Sequence, residues 1–82
     1  MSENYVKICG IKSEDAAIHA INSKADYLGF IFYSQSPRNI SFEDSSAIIN
    51  KIKDKISTVA VTVDPDDSII NRVMEIGFSM IQ

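Results

Sequence analysis

The chain has 82 residues, 45% hydrophobic and 23% charged, and its eight basic and eleven acidic side chains leave a net charge of −3. So short a chain makes one small, water-soluble globular domain with a thin stability margin, because it buries only somewhat more than roughly 60% of its unfolded surface. The acidic balance, without any Lys/Arg cluster, argues against nucleic acid, and no apolar run approaches the about 18 residues of a membrane span.

The chain is organised around Tyr5-Val6-Lys7-Ile8-Cys9-Gly10-Ile11, a short apolar run interrupted by one lysine and one cysteine. Read with the two-residue period of a strand, Val6 and Ile8 point to one face and Lys7 and Cys9 to the other. Val6 and Ile8 suit a covering helix. A lysine beside a thiol is poor core packing and marks a candidate site, at the strand end where parallel α/β proteins hold their chemistry. Ser13-Glu14-Asp15 then opens a helix with a capping hydroxyl and two acids that complement the helix dipole. Ala16, Ala17, Ile18, Ala20 and Ile21 give that helix, predicted over 13–23, its apolar stripe.

Residues 25–32 read as a second strand, apolar enough to be covered on both faces. The polar run 33–39 is a surface loop, in which Pro37 keeps Ser36 out of helical geometry. Ser41-Phe42-Glu43-Asp44 fits a capping box, and Ile48, Ile49, Ile52 and Ile56 predict a helix over 42–55. Thr58–Val63 is a β-branched strand. Asp64 as cap and Pro65 at the first helical position start a third helix, with Ile69, Ile70, Val73 and Met74 as its buried stripe. Gly77 ends it, and Phe78–Gln82 is a fourth strand. The pattern is an α/β fold, β-α-β-α-β-α-β, which implies a parallel sheet with right-handed crossovers.

Taken singly, most polar residues have plain explanations. A lone cysteine such as Cys9 is often a small buried hydrophobe, and a strand-end lysine such as Lys7 can keep its charge in water. Arg38 alone would be a surface arginine. Asp26 hydrogen-bonds the start of the second strand, His19 faces solvent, and Asp64, Asp66 and Asp67 cap a helix. Gln82, two residues beyond Met80, reads as facing the same interior as Cys9. The single cysteine forms no internal disulfide and fits a reducing cytoplasm; the N-terminus shows no secretory signal, and no Cys/His spacing suggests a metal.

Together, Val6-Lys7-Ile8-Cys9-Gly10-Ile11, Ala25-Asp26-Tyr27-Leu28-Gly29-Phe30-Ile31-Phe32-Tyr33 and Ser36-Pro37-Arg38 resemble phosphoribosylanthranilate isomerases. That family is a (βα)8 barrel of tryptophan biosynthesis. The resemblance implies that residues 1–82 form a single partial barrel domain, strands 1 to 4 of a TIM barrel. Its fourth strand ends at Gln82, where the family usually continues with a His-Gly pair. The implied reaction is the Amadori rearrangement of N-(5′-phosphoribosyl)anthranilate to a 1-deoxyribulose phosphate, with no metal or organic cofactor. By resemblance Cys9 maps to the general base and Arg38 to a contact with the anthranilate carboxylate. Lys7, which shares the face of Cys9 and offers the cation beside the thiol, and Gln82, read as facing the same interior, are taken from their positions as further substrate contacts. Chemically this is coherent: a thiol beside a cation is a usable base near neutrality, and a guanidinium fork grips a carboxylate.

The resemblance also places the general-acid aspartate and the phosphate loops beyond Gln82, so the 82-residue chain alone is expected to be inactive. Expected partners are a phosphorylated small-molecule substrate and either a second copy or the missing C-terminal half of the barrel, with no nucleic acid and no membrane. Where the family often has glycine, this chain has Lys24, in a surface turn. The rival reading is a non-catalytic half-barrel serving as an assembly unit. A small flavodoxin-like binder is a third, but Gly10-Ile11-Lys12 is too sparse for a phosphate loop.

Overall fold

The structure is a computed structural model and describes residues 5–52 and 54–82. Four strands, β1 (Lys7–Cys9), β2 (Tyr27–Ile31), β3 (Ser57–Val61) and β4 (Met80–Ile81), alternate with three helices, α1 (Glu14–Asn22), α2 (Phe42–Ile52) and α3 (Asp67–Ile76). The sheet is parallel throughout, in the order β1-β2-β3-β4. This sequential order is that of a barrel wall, and β1 and β4 are its edges.

The first two helices begin where the sequence places a cap. Ser13 Oγ accepts from Ala16 N at 3.1 Å, and Ser41 Oγ from Asp44 N at 3.1 Å. The third helix departs from expectation by two residues. Its cap is Asp66, whose Oδ1 accepts from Ile69 N at 2.9 Å, while Asp64 sits in left-handed geometry with φ 45° and Pro65 lies outside the helix. Asp66 and Asp67 still bring negative charge to the helix start.

The register divides the sheet into two faces. Ile8, Leu28, Phe30, Thr58 and Ala60 point toward the helices; Lys7, Cys9, Tyr27, Gly29, Ile31, Val59, Val61 and Met80 point away from them. The core lies on the helix side, where Leu28, Phe30 and Ala60 meet Ala17, Ala20, Ile48, Ile49, Ile52 and Val73. Thr58 is buried there yet satisfied, its Oγ1 accepting from Ser79 N at 3.3 Å.

Two apolar positions leave the predicted pattern. Met74 is 64% exposed, because α3 turns Ile69, Val73 and Ile76 inward and Met74 falls outside that arc. Val6 is 51% exposed, because the paired strand starts only at Lys7 and Val6 precedes the helix layer. Elements otherwise stop one to three residues short of their predicted C-terminal limits, α2 starts where predicted and β3 starts one residue early, at Ser57; Lys53, in the predicted 42–55 helix, is outside the described residues. Asp26 ties down the start of β2, its Oδ2 accepting from Val6 N at 2.8 Å.

Candidate functional site

Cys9 ends β1 on the face away from the helices and is half-buried. Its register partner is Gly29, and its Sγ lies directly over that glycine: a Cβ built there would come within 2.8 Å of the sulfur. The next residue, Gly10, turns the chain with φ +85°, a conformation open to glycine and strained for other residues. Gly10 N and Ile11 N both donate to Gly29 O, at 3.0 and 3.1 Å, which locks the end of β1 onto β2.

The loop after β2 folds back over this corner. Ser36 N donates to Tyr33 O at 2.9 Å, Asn39 N to Ser36 O at 3.1 Å, and Ile40 N returns to Ile31 O at 3.0 Å. The excursion is therefore short and internally bonded. It carries Arg38 onto Gly10, so closely that a Cβ at Gly10 would overlap Arg38 Cδ. Arg38 N donates to Ser36 Oγ at 3.1 Å, and Lys12 Nζ reaches Pro37 O at 3.3 Å from the β1–α1 side. Among the described residues the Arg38 guanidinium pairs with no carboxylate.

Lys7 stands one pleat before Cys9 on the same face. Its Nζ crosses the concave side of the sheet to donate to Gln82 Oε1. Between them lies a hollow of about 310 Å³ lined by Lys7, Tyr27, Val59, Met80, Ile81 and Gln82. Gln82 is itself fixed by its backbone, N donating to Ala60 O at 2.8 Å and O accepting from Thr62 N at 2.9 Å. The fold thus brings Arg38 against Gly10, the residue after Cys9, and Lys7 to Gln82. Among the described residues no group of three or more His, Cys, Asp or Glu side chains could hold a metal ion.

Residues 6–82 match the sequence profile of the N-(5′-phosphoribosyl)anthranilate (PRA) isomerases. The chain belongs to that family. It is 40% identical over 76 residues to the isomerase of Zymomonas mobilis subsp. pomaceae, an alignment covering 93% of this chain and 36% of the relative. With the isomerase of a Chelativorans strain the identity is 41% over 70 residues, 85% of this chain and 32% of that protein. The crystal structure of the Thermotoga maritima isomerase superposes with a TM-score of 0.91 at 32% identity, over 98% of this chain and 40% of that one. An isomerase solved in complex with reduced 1-(o-carboxyphenylamino)-1-deoxyribulose 5-phosphate gives the same TM-score, 0.91, over 98% of this chain and 42% of that one. The chain spans about a third of the length of the curated relatives it matches.

Seen as a PRA isomerase segment, the sheet is a run of barrel wall and its concave side faces the barrel lumen. Sequence reading picked out Cys9, Arg38, Lys7 and Gln82 but gave no role to Gly29 or Lys12. Gly29 had a signal, since a glycine between two buried apolar residues inside a strand often marks a close approach. Lys12 had none. A lysine meeting a carbonyl 25 residues away leaves no mark in local pattern.

Proposed function

We propose that the chain supplies the base and the carboxylate clamp of a PRA isomerase, acting in the cytoplasm on a phosphorylated small-molecule substrate. One observation carries the reading. The Cys9 thiol stands on the lumen face at the end of β1, and an arginine with no carboxylate partner among the described residues folds over the adjoining Gly10. In the Amadori rearrangement the ribose ring oxygen is protonated as the C1′–O bond opens to an iminium. The C2′ proton then leaves to a base, and the resulting enol becomes the ketone as C1′ takes up a proton and the C2′ hydroxyl loses one. Cys9 is the base for C2′. Arg38 holds the anthranilate carboxylate through paired N–H donors, while Lys7 and Gln82, already bonded to each other, present a cation and an amide to the polar part of the substrate.

The lumen-face positions set by the register carry no carboxylate, and the proton for the ring oxygen is assigned to a group outside them. Alone, the 82-residue chain is therefore expected not to turn over the substrate. The same face and the two edges call for completing strands. Met80 and Ile81 on one edge are 42% and 38% exposed, and Val6 beside the other is 51% exposed. Their partner is the remaining strands of a barrel or a second copy closing the sheet by twofold symmetry.

The test is a chimera in which residues 6–82 replace the segment they match in the Thermotoga maritima isomerase. Cys9→Ala in that chimera should lower kcat by about 10²–10⁴-fold with little change in KM. Arg38→Ala should chiefly raise KM. A near-normal kcat for Cys9→Ala overturns the base assignment. Turnover by the isolated chain that disappears with Cys9→Ala overturns the expected inactivity. Sedimentation equilibrium of the isolated chain at micromolar concentration should show a dimer or larger species; a single monomer mass with a concentration-independent melt excludes self-association.

A further inference from the structure

Gly29 has no conformational reason to be glycine. Among the described residues the glycines at positive φ are Gly10 and Gly77; Gly29 lies in regular strand geometry that any residue adopts. It stands inside β2 between Leu28 and Phe30, both fully buried, where glycine weakens a strand by giving up side-chain packing. What its bareness provides is space on the lumen side. An alanine methyl there would meet Cys9 Sγ at 2.8 Å, Cys9 Cα at 3.3 Å and Cys9 Cβ at 3.4 Å. The Cα and Cβ distances are tight but tolerable. The sulfur distance is not, and Sγ, on a single χ1 torsion, is the atom that has to move.

We propose that Gly29 is a positioning residue for the Cys9 thiol: by lacking a side chain it lets Sγ lean over β2, and a methyl there swings the sulfur to another rotamer. The inference rests on Cys9 being the base, and it adds what holds that base in place. The β1–β2 register confines the effect to the thiol. Cys9 is paired with Gly29, and the Gly29 carbonyl accepts from Gly10 N and Ile11 N, so the backbone at this corner is pinned from both strands. A displaced sulfur then misses the substrate carbon, whereas Arg38, seated on Gly10, keeps its grip. Misplacing a reacting atom by about 1 Å can cost about 10²-fold in rate.

The experiment uses Gly29→Ala in two settings. In the chimera with the Thermotoga maritima isomerase, kcat should fall by about 10–100-fold while KM stays within about threefold, which is the signature of a misplaced base and not of a lost binding contact. In the isolated chain Cys9 is the single cysteine, so its Hα–Hβ couplings and ¹³Cβ shift report one χ1 rotamer, which should change. A kcat within twofold of the parent, or an unchanged rotamer, overturns the proposal. Should Gly29→Ala fail to fold, adding Cys9→Ala should restore the fold by removing the sulfur the methyl meets; failure to restore it places the clash elsewhere and also overturns the proposal. The two readings separate cleanly. A normal kcat for Cys9→Ala alone defeats the base assignment, while the rotamer measurement still decides what Gly29 does.

Discussion

The two faces of this sheet are cut from the same strands yet do opposite work. Toward the helices, Leu28, Phe30, Thr58 and Ala60 are each no more than 1% exposed, and the polar member, Thr58, is hydrogen-bonded. On the concave side only the centre is buried, at Gly29 and Val59; around it stand an exposed lysine, a half-buried thiol and a methionine that is 42% exposed. Strand alternation turns each neighbouring pair of residues toward both faces at once: Ile8 packs while Cys9 faces the concave side, and Phe30 packs beside the space Gly29 leaves. Stability is gathered on one side, so the other can carry side chains that make poor core.

The sharpest way to break that comparison is to truncate one residue on each face. Phe30→Ala removes a fully buried ring that meets Phe78 edge-on at 5.4 Å, and should cost about 3–5 kcal/mol. For a domain of this size that approaches the whole margin, so the cooperative urea transition should vanish. Cys9→Ala should shift the same transition by less than about 1 kcal/mol while lowering kcat in the chimera by about 10²–10⁴-fold. A comparable loss of stability from both substitutions would show that the faces are not divided as described.

A finer separation lies within the concave face. Gly10→Ala places a methyl against the Arg38 stem and forces alanine to φ +85°, a strain of about 1–2 kcal/mol. Because Arg38 is the displaced group, KM in the chimera should rise by about tenfold with a smaller change in kcat. A fall confined to kcat would tie Gly10 to the thiol. Lys7→Met is milder. It removes the contact with Gln82 Oε1 from an exposed side chain, so stability should move by no more than about 0.5 kcal/mol and KM should rise a few-fold. An unchanged KM would leave Lys7 a lumen lysine without a part in binding.

Much of this was legible in the sequence because the cues were periodic or local. Ile48, Ile49 and Ile52 announce the buried side of α2, Ser13 and Ser41 announce helix starts, and the spacing of Lys7 and Cys9 fixes their shared face. What failed was decided by geometry that pattern does not encode. Asp64-Pro65-Asp66 offers two capping aspartates, and proline at the first helical position favours the earlier one. The chain instead spends Asp64 on a left-handed turn out of β3 and begins the helix from Asp66. Met74 has helical spacing from Ile70, but the arc facing the sheet is centred on Val73. The meeting of Lys7 with Gln82 needed the sheet's curvature to bring its two edge strands within side-chain reach, and only their shared face could be read in advance.

The smallest expected effect lies on neither face. Lys24 has φ 67° after α1, with Ser23 as the helix cap; its N–H donates to Ile21 O at 3.0 Å, and Ala25 N donates to Ala20 O at 3.1 Å. Those two bonds, closing back onto the last helical turn, form the Schellman arrangement, whose left-handed residue is most often glycine. At the end of α3 the corresponding position is Gly77, at φ 107°. Lysine in the left-handed region costs about 1–2 kcal/mol, and the extra freedom glycine brings to the unfolded chain gives back about 0.5–1 kcal/mol of that. Lys24→Gly should therefore stabilise the chain by about 0.5 kcal/mol, a rise in Tm of about 2–4 °C for a domain this small. Its side chain is exposed, in the turn that leads into β2 and not at the strand end where Cys9 stands, so kcat and KM in the chimera should stay at the parental values. Lys24→Ala is the control: it keeps the strained φ and should give no rise. Equal melting for the two variants would mean that lysine bears little strain at this turn, and a changed kcat would mean that the α1–β2 turn reaches the chemistry.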